Sequence, residues 1–223
     1  MNKKRVRMIL ITILMIVIVA MAFVVFSVLN ASPAGIKVGD EFIYDIKGYG
    51  VANDPNATIP EAFSQLNMTE WYKVTVTGVS GPEVSINTTW LFTNGTELKG
   101  TGTVDVESGI SYPTGGFYAI YAANLRENDR LRPKGPDLAT INATANRNYA
   151  GGIRETNRVS LVLQYYDSED PTYTRTLTEY MNTHFDRQTG MLVELQDMSV
   201  YTNPYLTLTV VWLIKETNVW AIS

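Results

Sequence analysis

Cysteine is absent from this 223-residue sequence, and histidine occurs only once. Without a thiol, the chain can form no disulfide, cysteine nucleophile, iron–sulfur site or lipidated cysteine anchor. A zinc site normally takes several histidine or cysteine ligands, so the composition argues against that metal as well. We therefore predict no metal centre and no cofactor, and we interpret His184 as a structural or surface residue.

Charged residues are also scarce, at 18% of the chain, and they are unevenly distributed. Lys3, Lys4, Arg5 and Arg7 precede a long apolar run, and no acidic residue accompanies them. When these four cations are set aside, the net charge of −4 becomes −8 for the remainder. An acidic domain repels phosphate backbones, which argues against a nucleic-acid partner.

The apolar run covers residues 8–29 and is free of charge. It exceeds the roughly 20 residues that a helix needs to cross about 30 Å of hydrocarbon. Because positive flanks stay cytoplasmic, the run predicts a single-pass signal anchor in the cell membrane. Residues 1–7 then form a cytoplasmic tail, 30–35 a linker, and 36–223 an extracytoplasmic domain.

A cleaved signal peptide is the alternative interpretation of the same segment. Cleavage would need a small-x-small site, and Ala20 with Ala22, or a site ending at Ala34, has that form. However, residues 23–26 extend the apolar run past the first site, and Pro33 disfavours the second. Both interpretations place the C-terminal domain outside the cytoplasm.

Apolar and polar residues alternate along most of the C-terminal domain, which indicates strands with one buried face. A possible capping box at Thr58 and Glu61 predicts one short helix, and residues 117–126 predict another. Tight turns without crossover helices predict an antiparallel curved sheet, as a barrel, half-barrel or sandwich. The predicted inward sets are Phe42, Tyr44 and Ile46; Tyr72, Val74 and Val76; Val84, Ile86, Trp90 and Phe92; Val159, Leu161, Leu163 and Tyr165; and Leu206, Leu208, Val210, Trp212 and Ile214.

Two turns are legible in the sequence. Asn94 and Gly95 predict a type I′ hairpin. Residues 185–190 predict a hairpin loop in which Asp186 accepts turn hydrogen bonds and Gly190 takes a positive φ.

Polar tripeptides of the form Asn-x-Ser/Thr occur more often than composition requires, and in exported proteins they accept N-linked glycan. A polar, threonine-rich surface is the alternative interpretation. The candidate acceptors are Asn56, Asn67, Asn87, Asn94 and Asn142.

Candidate ligand-binding residues are few. Arg175 and Glu179 share a strand face with Tyr173 and should point inward, either as a local ion pair or as a polar pair that orients a ligand in a cavity. Trp90 is an aromatic candidate for stacking on a sugar or acyl chain, or else a core residue. The acidic cluster at 167–170 matches no calcium-binding loop and reads as a solvated turn.

Four segments together resemble exported archaeal proteins that have one N-terminal helix and no assigned activity. They are residues 38–45, 120–125, 154–157 and 185–192. The resemblance implies an exported, anchored β-rich domain, and it implies no catalytic residues.

These observations lead to three hypotheses. The first is a non-enzymatic, membrane-anchored domain that binds an apolar or amphipathic ligand, such as a lipid, or a protein partner. The second is a structural or adhesive surface glycoprotein whose last strand pairs with a neighbouring chain. The third is a carboxylate-dependent hydrolase, which would need two acids facing one cleft.

Overall fold

The computed structural model describes residues 33–114, 116–136, 138–166 and 175–222, which belong to one compact unit, Pro33–Ser223. The predicted basic tail and signal anchor lie outside the described residues, as does the acidic cluster at 167–170. No helix in the described ranges combines the length and the apolar character needed to cross a membrane.

Strands dominate the described domain, which confirms the mainly β prediction. One short helix, α1 (Glu61–Ser64), continues into a 3-10 helix (Gln65–Met68). The strands are β1 (Glu41–Ala52), β2 (Thr69–Ser80), β3 (Glu83–Phe92), β4 (Glu97–Asp105), β5 (Ser111–Tyr112), β6 (Ala143–Tyr149), β7 (Gly152–Tyr166), β8 (Thr176–Asp186), β9 (Leu192–Thr202) and β10 (Tyr205–Thr217).

All ten strands join one antiparallel sheet in the order β5-β4-β3-β2-β1-β10-β9-β8-β7-β6. The antiparallel prediction is therefore confirmed. Within the described part of the chain, β5 and β6 each have one strand neighbour, so the sheet is open. The closed barrel and the two-sheet sandwich, two of the three predicted forms, are wrong, because the terminal strands do not meet and every strand belongs to the same sheet.

One face of the sheet, here called the inner face, carries the apolar residues that the alternation predicted. Phe42, Tyr44 and Ile46 on β1 are fully buried, and Val74 on β2 is fully buried as well. Side chains two residues apart along a strand point to the same face, so the pattern fixes this face along each strand. Burial of these side chains forms the main core.

Residues 116–136, here called the strap, run between the two edge strands and cover part of the inner face. The ring of Phe117 lies 5.7 Å from Tyr44, 6.1 Å from Tyr72 and 6.0 Å from Trp212, centroid to centroid. These three partners belong to β1, β2 and β10, at the centre of the sheet. The strap is thus packed on the inner face rather than on the outer one.

The predicted helix over residues 117–126 is wrong, because this segment is irregular. Several of its backbone groups bond to distant parts of the chain. The N–H of Tyr121 donates to Gly190, that of Asn124 donates to Arg187, and the carbonyl of Ala119 accepts from Leu192. Tertiary hydrogen bonds therefore override the weak local helical pattern.

The β8–β9 turn forms as predicted. The Oδ1 atom of Asp186 accepts hydrogen bonds from the N–H and the hydroxyl of Thr189, both at 2.8 Å. Gly190 has φ +74°, a conformation that glycine adopts without steric cost.

The β3–β4 hairpin also forms, but its predicted type I′ turn is wrong. Residues 93–96 lie between the two strands, and the N–H of Gly95 donates to the carbonyl of Phe92 at 2.8 Å. Gly95 has φ +83°, whereas Asn94 is not among the residues with positive φ. A type I′ turn needs positive φ at both central residues, so this turn is not of that type.

Helix α1 begins after Pro60 and has no side-chain cap, so the capping box at Thr58 and Glu61 is wrong. Proline supplies a φ of −57° that suits a helix start, and no side-chain cap is needed to begin so short a turn. The helix ends at Ser64, where the chain tightens into the 3-10 helix.

The segment around α1 covers a second part of the inner face, where β1 carries two glycines. A side chain at Gly48 would meet Phe63, and one at Gly50 would meet Ile59. The side chain of Asn67 accepts from the N–H of Gly48 at 2.9 Å and donates to its carbonyl at 2.8 Å. The amide thus replaces a missing strand neighbour at this position.

Candidate functional site

A cavity of about 450 Å³ lies on the inner face between the strap and the sheet. Its size falls within the range of about 300–1,000 Å³ that is usual for small-molecule sites. The wall is mainly aromatic and aliphatic. Its residues are Tyr72, Thr88, Trp90, Leu98, Lys99, Gly100, Gly116, Phe117, Tyr118, Ala119, Tyr121, Met181, Thr183, Leu192, Leu195 and Trp212.

The aromatic wall is held in place by contacts among its own members. Tyr72 meets Trp212 edge-on at 5.0 Å and Trp90 edge-on at 5.8 Å. The indole N–H of Trp90 donates to the hydroxyl of Thr69 at 2.9 Å, which fixes the ring. The polar end of this indole is therefore satisfied, and its apolar part is left for packing.

Arg132, itself a strap residue, fixes the conformation of the strap through hydrogen bonds to its backbone. Its guanidinium is buried and donates to the carbonyls of Val106 (3.1 Å), Tyr118 (2.8 Å) and Ile120. It also lies over the ring of Tyr121, 4.4 Å from the centroid. One side chain thereby holds two strap carbonyls that lie beside the cavity wall.

The middle of the strap is bound to β7 by a buried asparagine. Asn157 is fully buried, and its Nδ2 donates to the carbonyl of Leu125 at 2.9 Å. Its Oδ1 accepts from the hydroxyl of Thr144 at 2.6 Å. The strap is therefore held at residues 118–120 by Arg132 and at residue 125 by Asn157, on the side of the strap that carries the cavity wall.

Two acidic residues lie on the inner face next to the apolar wall. Asp197 on β9 pairs with Met181 on β8, and Glu179 on β8 pairs with Ser199 on β9. Glu179 and Asp197 are thus diagonal neighbours, and such pairs lie close enough to interact. Burial, and secondarily the Glu179 carboxylate, raise the pKa of Asp197.

Asp197 has an unsatisfied oxygen. Its Oδ1 atom is buried and has no hydrogen-bond partner among the described residues. Burial, followed by the charge of Glu179, also raises the pKa of Tyr165. An unpaired buried carboxylate oxygen lowers the stability of the fold, so stability does not explain an acid at Asp197.

The four predicted ligand-binding residues do not form one group. Trp90 lies in the cavity wall, and Glu179 lies beside Asp197. Arg175 lies away from the cavity, in a small surface depression with Tyr165 and Tyr201, while Tyr173 lies outside the described residues.

Asp197, Leu98 and Met181 are the main site residues that sequence reasoning missed. Each lies at an ordinary strand position: Leu98 and Met181 line the cavity, and the pairing of β8 with β9 places Asp197 beside Met181.

His184 lies on the outer face beside Arg147 and Glu194. Arg147 donates to the Nδ1 of His184 at 2.7 Å and forms an ion pair with Glu194 at 2.8 Å. Burial, and then the charge of Arg147, lower the pKa of His184. The ring therefore acts as a neutral acceptor in a surface network.

The five candidate glycan acceptors are all exposed, and none lines the cavity. Three of them use their side chains in hydrogen bonds: Asn67 bonds to Gly48, the Oδ1 of Asn94 accepts from the N–H of Thr96, and the Oδ1 of Asn142 accepts from the N–H of Ser160. Glycosylation stays a prediction at these positions.

The raised pKa of Asp197 leads to a prediction about stability. Because the folded pKa exceeds the unfolded one, the stability contribution is present at low pH and is lost as pH rises through the folded pKa. We expect Asp197→Asn to unfold at a higher temperature than the wild type at pH 7, with the difference shrinking towards pH 3. Calorimetry at several pH values measures this, and a lower unfolding temperature of the variant at pH 7 would contradict it.

Comparison of the chain with protein-family models and with curated proteins finds no match.

Proposed function

We propose that this domain binds an apolar or amphipathic small molecule in the cavity beneath the strap, and that the predicted N-terminal anchor holds it at the outer surface of a membrane. The observation that carries the proposal is the cavity of about 450 Å³ with its aromatic wall. Sites of this size and lining suit apolar ligands, because the ligand and the wall leave water together.

The path of the sheet supports a concave site. Leu98 on β4 and Met181 on β8 line the same cavity, although six strand spacings separate β4 from β8. In a flat sheet, six spacings of about 4.8 Å would place them roughly 29 Å apart. We infer that the sheet curves as a half-barrel, which is the predicted form that remains once the closed barrel and the sandwich are set aside.

A structural or adhesive role receives less support. It relied on the last strand, β10, pairing with a neighbouring chain. However, β10 pairs with β1 on one side and with β9 on the other over residues 206–213. Its backbone groups are therefore already used within the sheet.

Fluorescence offers a direct test, because two of the four tryptophans, Trp90 and Trp212, lie in the wall. We expect octan-1-ol to change the emission of the full chain, reconstituted in phosphatidylcholine nanodiscs, in a saturable way. Empty nanodiscs correct for partition of the alcohol into lipid. A change that grows linearly without saturation would contradict the proposal.

A substitution at the rim locates the site. Leu98 is 56% exposed at the cavity, and Leu213 is 47% exposed on the outer face. We expect Leu98→Asn to weaken octan-1-ol binding by about three- to tenfold, because apolar contact area is lost. The matched variant Leu213→Asn should bind as the wild type does, and equal weakening in both variants would argue against this cavity.

A further inference from the structure

We infer that the ligand of this cavity carries a positively charged head, and that Asp197 with Glu179 receives it beside the apolar wall. This inference rests on the proposed function and adds the chemical class of the ligand: an amphipathic cation, such as an alkylammonium.

Asp197 lies beside the apolar wall of the cavity. Leu195 lies two residues away on β9, so both side chains point to the inner face, and Leu195 lines the cavity. Met181, the strand partner of Asp197, lines the cavity as well. The carboxylate is therefore next to two wall residues, along its strand and across from it.

The carboxylate of Asp197 lies in an unfavourable environment, next to a second carboxylate. The Oδ1 atom of Asp197 is buried without a hydrogen-bond partner among the described residues. Glu179, its diagonal neighbour, adds a second negative charge, and like charges at this distance repel. An ammonium group has three donors and one positive charge, so it would supply the missing hydrogen bond and relieve the repulsion.

Neither carboxylate has a cationic side chain directly opposite it on a neighbouring strand of the described sheet. The residues opposite Asp197 are Met181 and Val210, and those opposite Glu179 are Leu163 and Ser199. None of these four side chains is charged. Lys99, at the other side of the cavity, forms an ion pair with Glu97 at 3.0 Å. The charges of Asp197 and Glu179 are therefore not neutralised by these neighbours, and a cationic ligand head would neutralise them.

Three ligands with the same eight-carbon chain test the inference: octylammonium, octan-1-ol and octanoate. Titrations use the tryptophan emission of the full chain in phosphatidylcholine nanodiscs at pH 7, with empty nanodiscs as the blank. We expect octylammonium to bind about tenfold more tightly than octan-1-ol, and octanoate to bind most weakly, because charge complementarity separates the three.

Variants then assign the preference to the carboxylates. Asp197→Asn and Glu179→Gln should each remove most of the preference for octylammonium over octan-1-ol. Glu216→Gln, at an exposed carboxylate near the end of β10, should keep the wild-type preference. Thermal unfolding verifies that each variant is folded, and two separate acidic positions keep the test open if one variant misfolds.

The outcomes separate the two proposals. If octylammonium binds no more tightly than octan-1-ol, or if its preference survives in both acidic variants, the charged-head inference is overturned while the cavity stands. If none of the three ligands gives saturable binding, the proposed function itself fails.

Discussion

Replacing Gly190 by alanine is expected to destabilise the domain by about 3 kcal/mol or more, because two costs coincide. The residue has φ +74°, which any side chain disfavours. In addition, a Cβ at this position would overlap the carbonyl of Tyr121, whose N–H donates to Gly190 at 2.9 Å. The strap would have to move away from the β8–β9 turn to make room.

Gly81 provides the matched control for this prediction. It has φ +58°, and a Cβ there would meet no atom within 4 Å. Gly81→Ala should therefore show the backbone cost alone, about 1 kcal/mol. Urea unfolding of both variants measures the difference, and equal losses would mean that the strap does not press on Gly190.

Replacing Arg132 by alanine is the second change with a large expected effect. Three backbone carbonyls, those of Val106, Tyr118 and Ile120, would lose a buried donor. The carbonyl of Tyr118 would keep the N–H of Ile120, whereas those of Val106 and Ile120 would lose the Arg132 donor. Since an unsatisfied buried polar group costs about 1–3 kcal/mol, the total loss should reach about 3 kcal/mol. The contact with the Tyr121 ring would be lost as well.

The readout for Arg132→Ala distinguishes a loosened strap from general weakening. Amide hydrogen exchange should accelerate most at Tyr121 and in neighbouring strap residues, before it accelerates in β1 or β10. Arg126→Ala, at an exposed arginine of the same strap, is the control and should change stability little. Uniform acceleration throughout the sheet would indicate that Arg132 supports the whole fold instead.

The features of the fold that depend on neighbouring residues in the chain could be predicted from the sequence. The inward faces of β1, β2 and β10 follow from period-two alternation, and each burial depends mainly on the residue's own strand. The β8–β9 turn was also predictable, because Asp186 and Gly190 act within six residues of each other.

The remaining features depend on contacts between distant segments. Residues 117–126 have helical spacing, but Arg132, the β8–β9 turn, β9 and the side chain of Asn157 on β7 take up their backbone groups. The neighbourhood of Glu179 and Asp197 follows from the register between β8 and β9, which depends on a bulge near His184 as well as on the turn. Alternation gives the face of a residue but not its neighbour across the sheet.

The pairing of β1 with β10 has a consequence for how the chain reaches its native state. Phe42 and Thr217 are partners although 174 residues lie between them. The strands on either side form two consecutive series, β1 to β5 and β6 to β10, and this central seam joins the two series. A polypeptide leaving the ribosome cannot complete the seam until β10 has emerged. High contact order of this kind makes folding slow, so the domain stays incompletely folded until β10 is available to pair with β1.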